Sequence, residues 1–146
     1  MSQSAQVIAL LTATSGAPIM NEGVADAATA IVPGMLVEET ATGVIENSTP
    51  SAPAQKLFAD TNPANGSTID TVYPVGGLVR YGAYHSGQEV NALVAAGAAA
   101  IAKGDPVESA GDGTLAGGFV AIIGYALEAV DNSGGATSAR LAIRIA

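Results

Sequence analysis

The chain has 146 residues and a formal charge of −8, thirteen acids against five bases, with charged residues at only 12% and no cysteine. The length argues for one domain with enough apolar content, 49%, to build a core; disulfides and thiolate metal sites are excluded, and the negative charge disfavours nucleic acid and anionic membrane surfaces. With four Tyr, two Phe and no Trp, the interior is filled by Val, Ile, Leu and Ala, and the scarcity of charge suggests surface hidden against partners.

Residues 1–27 read as an extended N-terminal arm. They lack the basic start of a signal peptide, and their apolar run is too short for a membrane span. Val7, Ile8, Leu10 and Leu11 form a compact apolar patch in it. Two readings stay open: a strand added to another chain's sheet edge, or an ordinary first strand of this domain.

Residues 28–146 read as one β domain. Residues 31–37 and 43–45 make a strand and hairpin with a turn at 40–43, and Pro33 forbids a helix there. Residues 46–76 hold two clusters of turn formers around a short apolar segment at 56–59, which predicts a long loop containing a strand. Residues 77–84 alternate as a strand, with Val79 and Tyr81 on one pleat face and Arg80 on the other. A helix over 89–96 competes with strand by propensity. Asp112-Gly113 marks a tight turn, 119–130 is a nearly unbroken apolar run expected to be a buried strand bent at Gly124, and 139–146 alternates Leu141, Ile143 and Ile145 against Arg140 and Arg144.

An ungapped internal echo links 28–45 with 98–115 at an offset of 70 (Ile31 to Ile101). It pairs Gly34 with Gly104, Val37 with Val107, Glu38 with Glu108 and Gly43 with Gly113. Two copies are too few for a solenoid, so a β domain whose halves reuse one strand-hairpin unit is expected.

Chemistry-bearing constellations are thin. His85 beside Ser86 has no third group or nucleophile elbow to complete a triad. Asp105, Glu108 and Asp112 do not follow a calcium-loop spacing, and Asp112 is explained by its turn. Glu38 and Glu108 recur as duplicated acids, without the aromatic platforms a glycosidase cleft uses. The glycine pairs at 76–77, 117–118 and 134–135 are turns and not phosphate cradles. The expectation is therefore no enzyme, no catalytic or metal residues and no cofactor.

The run A-A-A-I-A-K-G-D-P-V-E-S-A-G-D-G-T-L, then A-I-I-G-Y-A-L-E-A-V-D-N-S-G and the terminal A-R-L-A-I-R-I, resembles the head decoration, or cement, proteins of tailed bacteriophages, over about residues 77–146. The resemblance implies a small β-tulip or barrel-like domain that assembles as a homotrimer on the outer capsid surface of the virion and bridges major capsid subunits. It carries no catalytic residues, and the loop at 46–76 departs from it. Val7, Ile8, Leu10 and Leu11 would then be the capsid-binding anchors. The alternative is a β-barrel carbohydrate-binding or adhesin module that reads its ligand with the 46–76 loop, against which the poverty of aromatics argues.

Overall fold

A computed structural model describes residues 8–10, 16–26 and 30–146. The described chain is all-β, with one 3-10 turn at Pro63–Asn65. Its strands are β1 (Ala9–Leu10), β2 (Ile19–Val24), β3 (Leu36–Glu39), β4 (Val44–Glu46), β5 (Leu57–Ala59), β6 (Leu78–Ala83), β7 (Glu89–Val94), β8 (Pro106–Ser109), β9 (Leu115–Gly117), β10 (Gly124–Ala126) and β11 (Ala139–Ile145).

The duplication is larger than the echo that betrays it. One sheet runs β2-β6-β5-β3-β4 and the other β1-β7-β11-β10-β8-β9; leaving out β1, the order is the same in two successive sets of five strands. Each sheet closes on itself through a parallel contact, Ala25 with Val44 in the first and Val94 with Leu115 in the second. Two small barrels result, the first closed only at the Ala25 end of β2. The correspondence reaches the loops: Ile31 bridges Tyr73 as Ile101 bridges Val130, and Gly34 N–H donates to Ala59 O at 2.7 Å as Gly104 N–H donates to Ala126 O at 2.8 Å. Both glycines sit at positive φ, 94° and 92°, which explains their recurrence: a side chain there is strained.

The barrels share an interior. Leu36, Phe58, Ile69 and Tyr84 of the first half pack in one buried cluster with Val90, Val107, Leu141 and Ile143 of the second. Phe58 meets Tyr84 edge to face, ring centroids 5.6 Å apart. Backbone bonds join the hairpins, Leu36 N–H to Gly113 O at 2.8 Å and Gly113 N–H to Asn47 O at 3.0 Å. Arg140 on β11 reaches across, donating at 2.6 Å to the carbonyls of both Pro33 and Ile69. Burial lowers its pKa, partly opposed by Asp70.

Several sequence expectations change here. Residues 19–24 are not arm but a full strand of the first barrel, paired along their length with β6. The choice left open over 89–96 falls to strand at 89–94, where five of the six side chains are buried between neighbours, which overrides local propensity. The run 119–130 is not a buried strand. Only Gly124–Ala126 is strand, and Phe119 and Val120 are 80% and 75% exposed. Gly124 is there because β11 crosses close by: a Cβ would lie 2.4 Å from Arg144 O.

The inner tyrosines make a testable pair of statements. Tyr81 Oη donates to Glu39 Oε1 at 2.6 Å; burial first, then that carboxylate, pushes its pKa from 10.0 up to about 12. Burial raises Tyr84 and, more weakly, Tyr73 in the same direction. The folded protein thus keeps phenolic protons that the unfolded chain releases near pH ~10, so stability present below that pH is lost as the solution is taken from about 10 to 12. Absorbance titration should show tyrosinate forming above the ordinary range, with the melting temperature falling over the same interval. Ionisation of Tyr73, Tyr81 and Tyr84 near pH ~10 in the folded state would contradict the assignment.

Candidate interaction surface

The repeated acids build structure. Glu108 on β8 is 8% exposed; its Oε1 accepts Ser51 Oγ–H at 2.6 Å, and its Oε2 accepts the backbone N–H groups of Val120 at 2.9 Å and Ala121 at 3.3 Å. The Ser51 hydroxyl is the main cause of a lowered Glu108 pKa, with burial opposing and the two backbone donors assisting. A charged acceptor therefore gathers the orphan donors of a tight loop. The carboxylate reaches them only because residue 118 is glycine: a Cβ there would stand 2.3 Å from Glu108 Cδ. Ser51 itself has φ 52°, the one described non-glycine residue at positive φ, and its N–H is held by Ser109 O at 3.0 Å.

The loop so fixed turns Phe119 and Val120 outward. Phe119 borders an open hollow of about 360 Å³, mostly apolar but with Asp105 in its wall, alongside Ala99, Ala100, Pro106, Gly117 and Gly118. Tyr125, 43% exposed, stands opposite Pro106 on the next strand. A large side chain presented on a constrained loop beside a hollow differs from the scattered exposed residues of any surface, and makes this the candidate contact site.

The first barrel carries a second apolar patch. Val24 pairs with Leu78 across the β2–β6 ladder, and the 74–77 turn places Val75 beside them through Ala25 N–H to Gly77 O and Gly76 N–H to Ala25 O, both 2.8 Å. Val24, Val75 and Leu78 are 46%, 58% and 53% exposed.

The sequence candidates fall elsewhere. Ile8 is fully buried in the shared core, and Ala9–Leu10 pairs with β7. Of the two readings of this segment, the ordinary strand is the one the structure displays, and an Ile8 packed inside its own barrel is not a free anchor. Val7 and Leu11 lie outside the described residues. His85 is exposed in the turn from β6 to β7, where its N–H is held by Gln88 Oε1 at 2.8 Å. Asp105 accepts Ala102 N–H and Asp112 accepts Thr114 N–H, both turn contacts. Glu38 accepts Asn47 Nδ2–H at 2.9 Å, and Asn47 in turn takes the Ser109 hydroxyl, a polar link between the halves. No group of three or more His, Asp or Glu side chains among the described residues is arranged to hold a metal, and none of the described helices is long and apolar enough to cross a membrane.

Sequence reasoning missed Phe119 and Val120 because an apolar run reads as core. Only the preceding Gly117-Gly118 hinted at a turn. No family model matches this chain, and no curated protein matches it.

Proposed function

We propose that this chain is a structural decoration protein of a tailed-phage head, which binds the outer shell surface as a homotrimer, bridges neighbouring major capsid subunits and performs no catalysis. The observation that carries the reading is the presence of a separate exposed apolar patch on each barrel, Phe119 with Val120 on one and Val24, Val75 and Leu78 on the other. Two patches on one rigidly joined pair of barrels suit a brace between two subunits, since each patch alone is a modest contact while their linkage raises avidity. The resemblance of residues 77–146 to head decoration proteins supplies the shell and the trimer. The charge of −8 suits a protein kept away from packaged nucleic acid.

Attachment rests in this reading on the barrel patches rather than on Ile8 and Leu10. The double variant Phe119→Ser, Val120→Ser should stay folded, because exposed substitutions usually cost within ~0.5 kcal/mol. Its binding to undecorated heads should weaken at least ~30-fold, the loss expected of an aromatic hot spot. Light scattering of the wild type should give three times the 14.3 kDa chain mass. Unchanged attachment of the double variant would remove this surface from the mechanism. Glycan-array binding that disappears with Phe119 would favour the carbohydrate-binding alternative.

A further inference from the structure

We infer that the first barrel has an open seam along β2 that takes up an extended, cationic segment of a partner protein as an added strand. The inference comes from comparing the two barrels and does not depend on what shell, if any, the chain decorates.

Matching the closing contacts, Ala25 with Val44 and Val94 with Leu115, places Met20, Asn21 and Glu22 where the second barrel has Glu89, Val90 and Asn91. In the second barrel that edge is occupied. Ala9 and Leu10 pair with Val90 and Glu89, Asn91 N–H donates to Ile8 O at 2.7 Å, and Ile8 closes the interior. In the first barrel, among the described residues, no strand pairs with this edge of β2 below Ala25.

The backbone there points the right way. Ala25 bonds toward the β6 side through Gly76 and Gly77, while Asp26 N–H donates to Val44 O across the seam. By the alternation of an antiparallel ladder, Glu22 and Met20 direct their peptide groups into the seam as Asp26 does. The side chains agree. Asn21 and Gly23 pair with the buried Tyr81 and Val79, so they share the core face. Yet Asn21 is exposed and Ile19 is 58% exposed, while Val90 beneath β1, the counterpart of Asn21, is 0% exposed and Gln88, the counterpart of Ile19, is 5% exposed. A hollow of about 320 Å³ lined by Met20, Asn21, Glu22 and Arg80 lies beside the gap.

The filled barrel defines the occupant: an extended segment with an aliphatic anchor in the place of Ile8. Among the described residues, this chain's own segment of that kind is seated on β7, and the seam is assigned to a partner's. Charge adds a second requirement. Glu22 stands beside the seam opposite Arg80, with Asp26 at the closed end, and Glu22 forms no ion pair among the described residues, so a basic residue beside the anchor fits. Strand addition of this form uses main-chain bonds for affinity and one side-chain pocket for selection.

The probe is a fluorescein-labelled synthetic peptide of residues 5–12, A-Q-V-I-A-L-L-T, followed by two lysines, titrated onto the full chain by anisotropy with amide exchange followed by NMR. Saturable binding is expected, with the Met20 and Glu22 amides gaining at least ten-fold protection. Glu22→Pro, which removes one seam donor at a position where an edge strand tolerates proline, should weaken binding at least ten-fold, whereas Glu22→Gln should lose only the salt-sensitive part. Absence of binding, protection confined to Glu89 and Asn91 as the peptide displaces β1, or wild-type affinity in Glu22→Pro would each overturn the inference. Protection of Met20 and Glu22 without peptide, accompanied by a doubled mass, would overturn the partner assignment in favour of a second copy. The amide readout on the wild type decides the matter even if the proline variant fails to fold.

Discussion

Phe58→Ala should lower the unfolding free energy by about 3–5 kcal/mol, the usual result of emptying a fully buried aromatic site. Phe58 has no exposed surface and packs edge to face on Tyr84 within the cluster that both barrels share. Its removal opens a void at the junction, where neither barrel can collapse without pulling Leu36 and Tyr84 from the other's side chains. Against a typical total of ~5–15 kcal/mol the loss is large, and the melting temperature should fall by on the order of 10 °C. Urea titration checks it. Because the core is common property, wild type should unfold in one transition; two well-separated transitions would mean that the barrels are energetically independent.

Gly34→Ala should be far more damaging than Gly104→Ala, although the two glycines are duplicates with nearly the same φ. The shared part of the penalty is the left-handed backbone, about 1–2 kcal/mol for a residue with a Cβ. A Cβ at Gly104 meets nothing within 4 Å, whereas one at Gly34 would lie 2.2 Å from Arg140 Nη1 and 2.9 Å from Asn91 O. Relief would displace the guanidinium that holds Pro33 O and Ile69 O, and a hydrogen bond to a charged group contributes about 1.5–3 kcal/mol. We expect Gly104→Ala to cost about 1–2 kcal/mol and Gly34→Ala at least ~2 kcal/mol more. Equal denaturant midpoints for the two variants would show that Arg140 moves aside freely and is no strut.

The same comparison explains why the echo in the sequence stops where it does. The Ile31/Ile101 and Gly34/Gly104 matches mark bridge and turn positions with strict geometric demands, so they survive in both copies. Beyond β4 and β9 the copies drift out of step: residues 47–56 join β4 to β5, while residues 118–123 join β9 to β10, and the next pair of connections, 60–77 and 127–138, differs again. An ungapped match cannot cross that difference, although the strands on either side occupy the same places. The acids show the limit of spacing arguments from the other side. Glu38 and Glu108 recur like a catalytic pair, but one holds Asn47 and the other holds Ser51, Val120 and Ala121.

What the amino-acid order determined by itself was the all-β class, the turn at Asp112-Gly113 and the fact of duplication, because each rests on local backbone preference or on alternation within a few residues. Burial of Ile8, exposure of Phe119 and Val120, the edge of β2 that no described strand pairs, and the span of Arg140 were decided only in three dimensions. Each depends on which distant strand fills or leaves a place beside it, and an aliphatic or aromatic residue has the same local signature whether its neighbour arrives or not.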